Sequence, residues 1–135
     1  MKKIAVIGLG LIGGSMALEL KKRTWATLYG IDNNPAHAEK ALELGIVFEK
    51  ANLDIVKDVD VVIIAVPVNV IPGLAIDVLD RIGEETLVLD VGSVKTEVCA
   101  VVKDHKKRKN YVAAHPIAGT EFSGPEAAMY DLFTN

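Results

Sequence analysis

Cysteine is nearly absent: Cys99 is the one thiol in 135 residues. An internal disulfide is therefore excluded, and the chain fits a reducing, cytoplasmic setting. Cys99 itself is expected to be a small buried apolar residue, a reactive thiol being the alternative. Aromatic side chains are scarce, at 5%. Val, Ile, Leu and Ala are left to fill the core, as in parallel sheets covered on both faces. No apolar run reaches membrane-spanning length, and Met1-Lys2-Lys3 leads directly into a short strand rather than into the apolar stretch of a signal peptide. Cations are not in excess either. The net charge of −3 argues against a nucleic-acid partner, which wants a basic face. Three histidines and one cysteine lack metal-ligand spacing. Neither a Gly-Lys-Ser/Thr phosphate loop nor a nucleophile elbow is present. Internal repeats, low-complexity tracts and linkers are missing, and the length is that of one domain.

What is present begins at the third residue. The run Lys3-Ile4-Ala5-Val6-Ile7 reads as a strand that enters Gly8-x-Gly10-x-x-Gly13, with a helix starting on top of it. Gly8 allows the tight strand-to-helix turn. Gly10 lacks the Cβ that would block a pyrophosphate from the backbone. Gly13 lets the helix pack close to the sheet, and the N–H groups of its first turn, at Leu11, Ile12 and Gly13, aim at the phosphates. A glycine-rich turn with no ligand is the plain alternative. The next strand, over 28–32, ends in Asp32, about 20 residues beyond the last glycine of the motif, where a carboxylate accepts hydrogen bonds from the adenosine ribose. Such a carboxylate repels a 2′-phosphate, and no Lys or Arg follows among Asn33, Asn34 and Pro35 to compensate, so NAD is favoured over NADP. Asp32 also reads as the opening residue of an Asp-Asn-Asn-Pro turn, and the two roles are compatible.

Short apolar runs alternate with helical patterns along the chain, the mark of βαβ units. Strands are expected over 4–8, 28–32, 46–48, 59–66, 87–91 and 111–114. The first helix places Ile12, Met16 and Leu20 on one face. The second begins near Pro35 and stops at Gly45. The third carries Val70, Ile71, Leu74, Ala75, Val78, Leu79 and Ile82 at helical spacing, and a fourth follows Gly92-Ser93 with Val94, Val98, Val101, Val102 and His105 along a stripe. The basic run 103–109 is expected to be a solvated helix end, its cations complementing the dipole, with a binding patch as the alternative. His37 is expected to be exposed, and Trp25 sits in a loop as a possible contact surface.

In a doubly wound sheet, ligands lie beyond the carboxyl ends of the strands. The fourth strand is followed by Ala65-Val66-Pro67, the fifth by Gly92-Ser93-Val94-Lys95, and the sixth by His115-Pro116. Val66 and Pro67 are thereby candidates for cofactor contact. His115 would project towards the nicotinamide end, where an imidazole can take the proton from an alcohol while hydride leaves its carbon. Ser93 can hydrogen-bond that imidazole or the same hydroxyl. A purely structural His at a strand end is the alternative.

Three segments together, Gly8-Leu9-Gly10-Leu11-Ile12-Gly13-Gly14-Ser15, Asp90-Val91-Gly92-Ser93-Val94-Lys95 and His115-Pro116-Ile117-Ala118-Gly119-Thr120-Glu121, resemble the prephenate dehydrogenase family of tyrosine biosynthesis, in family order and over essentially the whole chain. The resemblance implies a Rossmann-type α/β domain with a mainly parallel, doubly wound sheet in the order 3-2-1-4-5-6. It implies oxidative decarboxylation of prephenate to 4-hydroxyphenylpyruvate with NAD⁺. In that reaction His115 accepts the 4-hydroxyl proton and Ser93 is its hydrogen-bonding partner near the nicotinamide. Family members continue into a helical domain that completes the substrate pocket and forms a homodimer. Residues 1–135 are therefore expected to be the NAD-binding domain of a larger enzyme, inactive alone. The substrate's two carboxylates want Arg or Lys. Arg23, Arg81 and Arg108 all lie away from the strand-end loops, and Lys95 alone is well placed as a substrate contact. Arogenate in place of prephenate, a related β-hydroxyacid-type dehydrogenase lacking the 115–121 loop, and a nucleotide-binding module without turnover are the rival expectations.

Overall fold

The computed structural model describes residues 2–114. Its elements are β1 (Lys3–Ile7), α1 (Leu11–Arg23), β2 (Thr27–Ile31), α2 (Pro35–Glu43), β3 (Glu49–Lys50), β4 (Val61–Ile64), α3 (Ile71–Arg81), β5 (Leu87–Asp90), α4 (Thr96–Val102) and β6 (Tyr111–Ala113). Short 3₁₀ turns occupy Leu53–Asp58 and Arg108–Asn110. The six strands form one sheet in the order β3-β2-β1-β4-β5-β6, and every pairing is parallel. This is the expected doubly wound order. From β1 the chain winds outward through β2 to β3, then returns to β4 on the other side of β1 and winds outward again.

Apart from the edge strand β3, the strands read as largely apolar runs because both faces are covered, yet each face still takes alternate residues. Ile4, Val6, Leu28 and Ile63 pack with Ala17 and Leu18 of α1 and Ala38 and Ala41 of α2. Ala5, Ile7, Val62, Ile64 and Val88 pack on the other face, with Ala75, Val78 and Leu79 of α3 and Val98 and Val102 of α4. Cys99 is partly buried against this second cluster. α2 begins where expected, with Asn34 Oδ1 accepting from the Ala36 N–H at 3.0 Å and Pro35 at the first helical position.

Several sequence expectations shift in detail. The third strand lies at Glu49–Lys50, not 46–48. Ile46 and Val47 are the buried approach to it, while Phe48, 74% exposed, already donates its N–H to Leu28 O. An edge strand needs only backbone pairing, so its side chains carry no apolar pattern. The fourth strand is confined to Val61–Ile64. On α1 the buried face is Gly13, Gly14, Ala17 and Leu18, with Ile12, Met16 and Leu20 only half-buried beside it. The glycines bring the helix so close that small residues form the contact. Val94, Val101 and Val70 are exposed rather than core. The basic run is not the last turn of α4, which ends at Val102; Arg108 instead donates to Tyr111 O at 2.9 Å and Lys107 to Ile82 O.

Candidate functional site

The loops that follow β1 and β4 meet at the centre of the sheet, where the winding reverses. Gly8 has φ +95° and donates its N–H to Ile31 O at 2.8 Å. A Cβ on it would lie 2.3 Å from Ala65 O. A Cβ on Gly13 would lie 1.9 Å from Gly8 O and 3.1 Å from the Ala65 Cβ. Only glycine fits either place, and the helix is thereby seated directly over the strand end. Gly10 caps α1 without a side-chain acceptor, and no acidic residue occupies the first turn. The N–H groups at the start of α1 are left open to an anion, with the positive end of the helix dipole behind them.

Asp32 stands just beyond the end of β2, its side chain 10% exposed. Its Oδ2 accepts from Leu9 N, inside the glycine loop, at 3.0 Å, and its Oδ1 from Asn34 N at 2.9 Å. The Asx turn expected from the sequence and the inward-facing carboxylate thus coexist. Each oxygen keeps a further acceptor site for a hydroxyl. His37, in the first turn of α2, holds Nδ1 3.7 Å from Oδ1 of Asp32.

Between these groups runs a cleft of 710 Å³, large enough for a cofactor-sized ligand. The glycine loop, Asp32 and His37 line one side, with Ala65, Val66 and Pro67 beyond. No Lys or Arg lines it among the described residues. Of the sequence-selected residues, Gly8, Gly10, Asp32, Val66 and Pro67 are brought together on its wall. Leu11, Ile12 and Gly13 form the first turn of α1 and are not on the wall. Ser93 is exposed in the loop after β5 and is not on the cleft wall. Lys95 is drawn inward, its Nζ 2.5 Å from Oδ2 of the fully buried Asp90. His115 falls outside the described residues. His37, Ala51, Asn52 and Leu53 belong to the cleft wall and were missed in the sequence. The last three follow β3 directly, so placing that strand at 49–50 would have found them.

Asp90 anchors a second polar cluster under the β5 loop. Besides Lys95 it accepts from Gly92 N at 3.1 Å and from the Tyr111 hydroxyl. Burial, with the Asp90 carboxylate beside it, pushes the Tyr111 phenol well above the usual tyrosine range. Among the described residues no three His, Cys, Asp or Glu side chains gather into a metal-ligating group, and no helix is long and apolar enough to cross a membrane.

A parallel sheet wound in this order, with a glycine loop and an open helix N-terminus facing a strand-end carboxylate, defines a dinucleotide-binding domain of the Rossmann type. The family model described as "Prephenate dehydrogenase, nucleotide-binding domain" matches residues 16–135, and the chain belongs to that family. The match begins after the glycine loop, which is therefore a separate observation. Prephenate dehydrogenase of Bacillus subtilis is 39% identical over 137 residues, covering 98% of this chain and 37% of the relative. Cyclohexadienyl dehydrogenase of Zymomonas mobilis is 34% identical over 135 residues, covering 98% and 46%. The crystal structure of prephenate dehydrogenase from Aquifex aeolicus with hydroxyphenyl propionate and NAD⁺ superposes with a TM-score of 0.89 at 34% identity, covering 98% of this chain and 48% of that one. The chain thus spans less than half the length of each of these relatives.

Proposed function

We propose that the chain is the NAD-binding part of a dehydrogenase that oxidatively decarboxylates prephenate to 4-hydroxyphenylpyruvate. The observation that carries the cofactor assignment is the Asp32 carboxylate, held by two backbone N–H groups against the glycine loop and with no Lys or Arg on the cleft wall among the described residues. A ribose diol can donate to it, whereas a 2′-phosphate would meet a fixed negative charge. The cradle fits the rest of the cofactor: the pyrophosphate would lie beside the glycine loop, along the open start of α1. Bound NAD⁺ would supply the hydride acceptor, with Val66 and Pro67 among the residues that would hold it.

The protein's own contribution is proton handling and orientation. His115 takes the proton of the substrate 4-hydroxyl as hydride leaves the same carbon, and Ser93 orients the imidazole or the hydroxyl. The resulting dienone loses CO₂, which restores the aromatic ring and drives the reaction forward. The substrate carboxylates need cationic partners, and these would come from residues outside the 135, as would the contacts of a homodimer. The group that distinguishes arogenate from prephenate would meet the same outside residues, so both substrates belong in the test. The proposed setting is the cytoplasm, consistent with a single unpaired cysteine.

The deciding experiment uses a full-length protein that contains this chain. His115→Asn should lower kcat roughly 10²–10⁴-fold, the usual worth of a positioned general base, while NAD⁺ affinity stays nearly unchanged. Steady-state kinetics with prephenate and arogenate reads the first and a fluorescence titration the second. Near-wild-type turnover in the variant would remove His115 from the chemistry.

A further inference from the structure

Resting on the proposed contact between Asp32 and the adenosine ribose, we infer that His37 is a specificity-determining residue whose protonated ring admits the 2′-phosphate that Asp32 alone repels. Among the described residues, the cleft wall carries two titratable side chains, Asp32 and His37. The first is an anion. The second is the wall residue that can become a cation, since neither Lys nor Arg lines the cleft there. The two stand side by side, with His37 Nδ1 3.7 Å from Asp32 Oδ1.

One turn fixes both groups. Asp32 Oδ1 accepts from Asn34 N at 2.9 Å, Asn34 Oδ1 accepts from Ala36 N at 3.0 Å, and His37 N donates to Asn34 O at 3.0 Å. The imidazole side chain is 43% exposed and the carboxylate 10%, so the ring can be reached by a group that also approaches Asp32 from solvent. A phosphate on the 2′ oxygen of a ribose bonded to Asp32 is such a group. Few charges bear on the ring. Asp32 favours the imidazolium, and the positive end of the α2 dipole opposes it. The first turn of α2 holds no acidic residue. Further along α2, Glu39 pairs with Lys50 of β3 and Lys40 with Glu43. Past β3, Asn52 and Leu53 are uncharged, and Asp54 pairs with Arg81 of α3. The glycine loop and Ala65, Val66 and Pro67 bring no charged side chain. With the ring neutral, a 2′-phosphate meets the carboxylate alone. With the ring protonated, the two charges offset and the imidazolium donates to the phosphate.

The test is calorimetric titration of the 135-residue chain with NAD⁺ and NADP⁺ at about pH 8 and about pH 6, a range in which histidine changes charge. Where NADP⁺ binds too weakly to titrate directly, competition against NAD⁺ gives its dissociation constant. The preference is the ratio of the two constants, and it should fall on acidification. Part of that fall belongs to the ligand, because a phosphate monoester takes up its second proton near pH ~6. His37→Gln, which stays polar and cannot be protonated, shows that part alone. The wild type should fall further by roughly 3–5-fold, the worth of a partly exposed ion pair. His37→Arg, with a permanent charge, should lower the preference already at about pH 8. Equal falls in the wild type and His37→Gln overturn the role of His37. So does a His37→Arg chain that prefers NAD⁺ at about pH 8 as strongly as the wild type. Asp32→Ala tests the reading underneath: an unchanged preference at about pH 8 removes the ribose contact, and the role of His37 with it. If Asp32→Ala narrows the preference while His37→Gln responds to pH as the wild type does, only His37 is dismissed.

Discussion

The Asp32 carboxylate lines the cleft and accepts from Leu9 N within the glycine loop. Its position about 20 residues past the last motif glycine indicated a ribose partner. Its bond to Leu9 N could not be foreseen, because it joins residues far apart in the chain that only the parallel β1–β2 pairing brings together. Asp32→Ala should narrow the preference for NAD⁺ over NADP⁺ by removing the charge that repels the 2′-phosphate. It should also weaken both cofactors, because Leu9 N loses its acceptor. Calorimetric titration of both dinucleotides checks this, and an unchanged ratio of affinities would end the carboxylate argument. His37 shows the opposite case. A polar residue in a polar helix start gives no sequence signal, and its place beside Asp32 follows only from the turn that Asn34 caps.

Among the elements, α1 and β6 depend most on single contacts. Gly13→Ala puts a methyl group 1.9 Å from a backbone carbonyl oxygen that cannot retreat without moving β1. The helix must lift instead, at a cost of about 1–3 kcal/mol. Urea unfolding should show a lower midpoint, and NAD⁺ binding should weaken with it; an unchanged midpoint would mean that α1 is not seated as described. For β6 the informative variable is pH. The Tyr111 phenol is raised in the folded chain, so its contribution to stability is fully present below the ordinary phenol range near ~10 and is lost as pH rises above that range, where the unfolded chain ionises first. Tyr111→Phe should therefore be less stable at neutral pH yet show a shallower loss of stability on the alkaline side, followed by circular dichroism. The bounds of α2 were legible from Pro35 and Gly45, and the helical period of α3 was legible because it buries a face against the sheet. β3 was not, since an edge strand places weak demands on side chains, and of the stripe expected on α4 Val98 and Val102 are buried while Val94 and Val101 are exposed.

For the molecule as a whole, the sheet order followed from the alternation of apolar runs with helical patterns and from the resemblance. Pairing and handedness rules leave few ways to wind such a chain around a glycine-loop strand. The cleft was legible at the residues after β1, β2 and β4. Of the two residues proposed for the chemistry, Ser93 stands outside the cleft wall and His115 lies beyond the described residues. Since the chain spans less than half of its relatives, it should bind NAD⁺ yet form no NADH with prephenate. With neither carboxylate clamped, the reacting carbon has no fixed distance to the nicotinamide, and positioning is commonly worth about 7–11 kcal/mol of barrier. Absorbance of NADH in the presence of both compounds decides it, and robust turnover would place the substrate site within these residues.

The bond between Leu9 N and Asp32 has a consequence for how cofactor use can change over time. The carboxylate proposed to choose between ribose and phosphorylated ribose is also a strut of the glycine loop. A lineage moving from NAD to NADP by replacing Asp32 would pass through a protein that holds either dinucleotide poorly. That path is passable only if another acceptor for Leu9 N arises first. A change of cofactor preference in this chain would therefore depend on the order in which the substitutions occur.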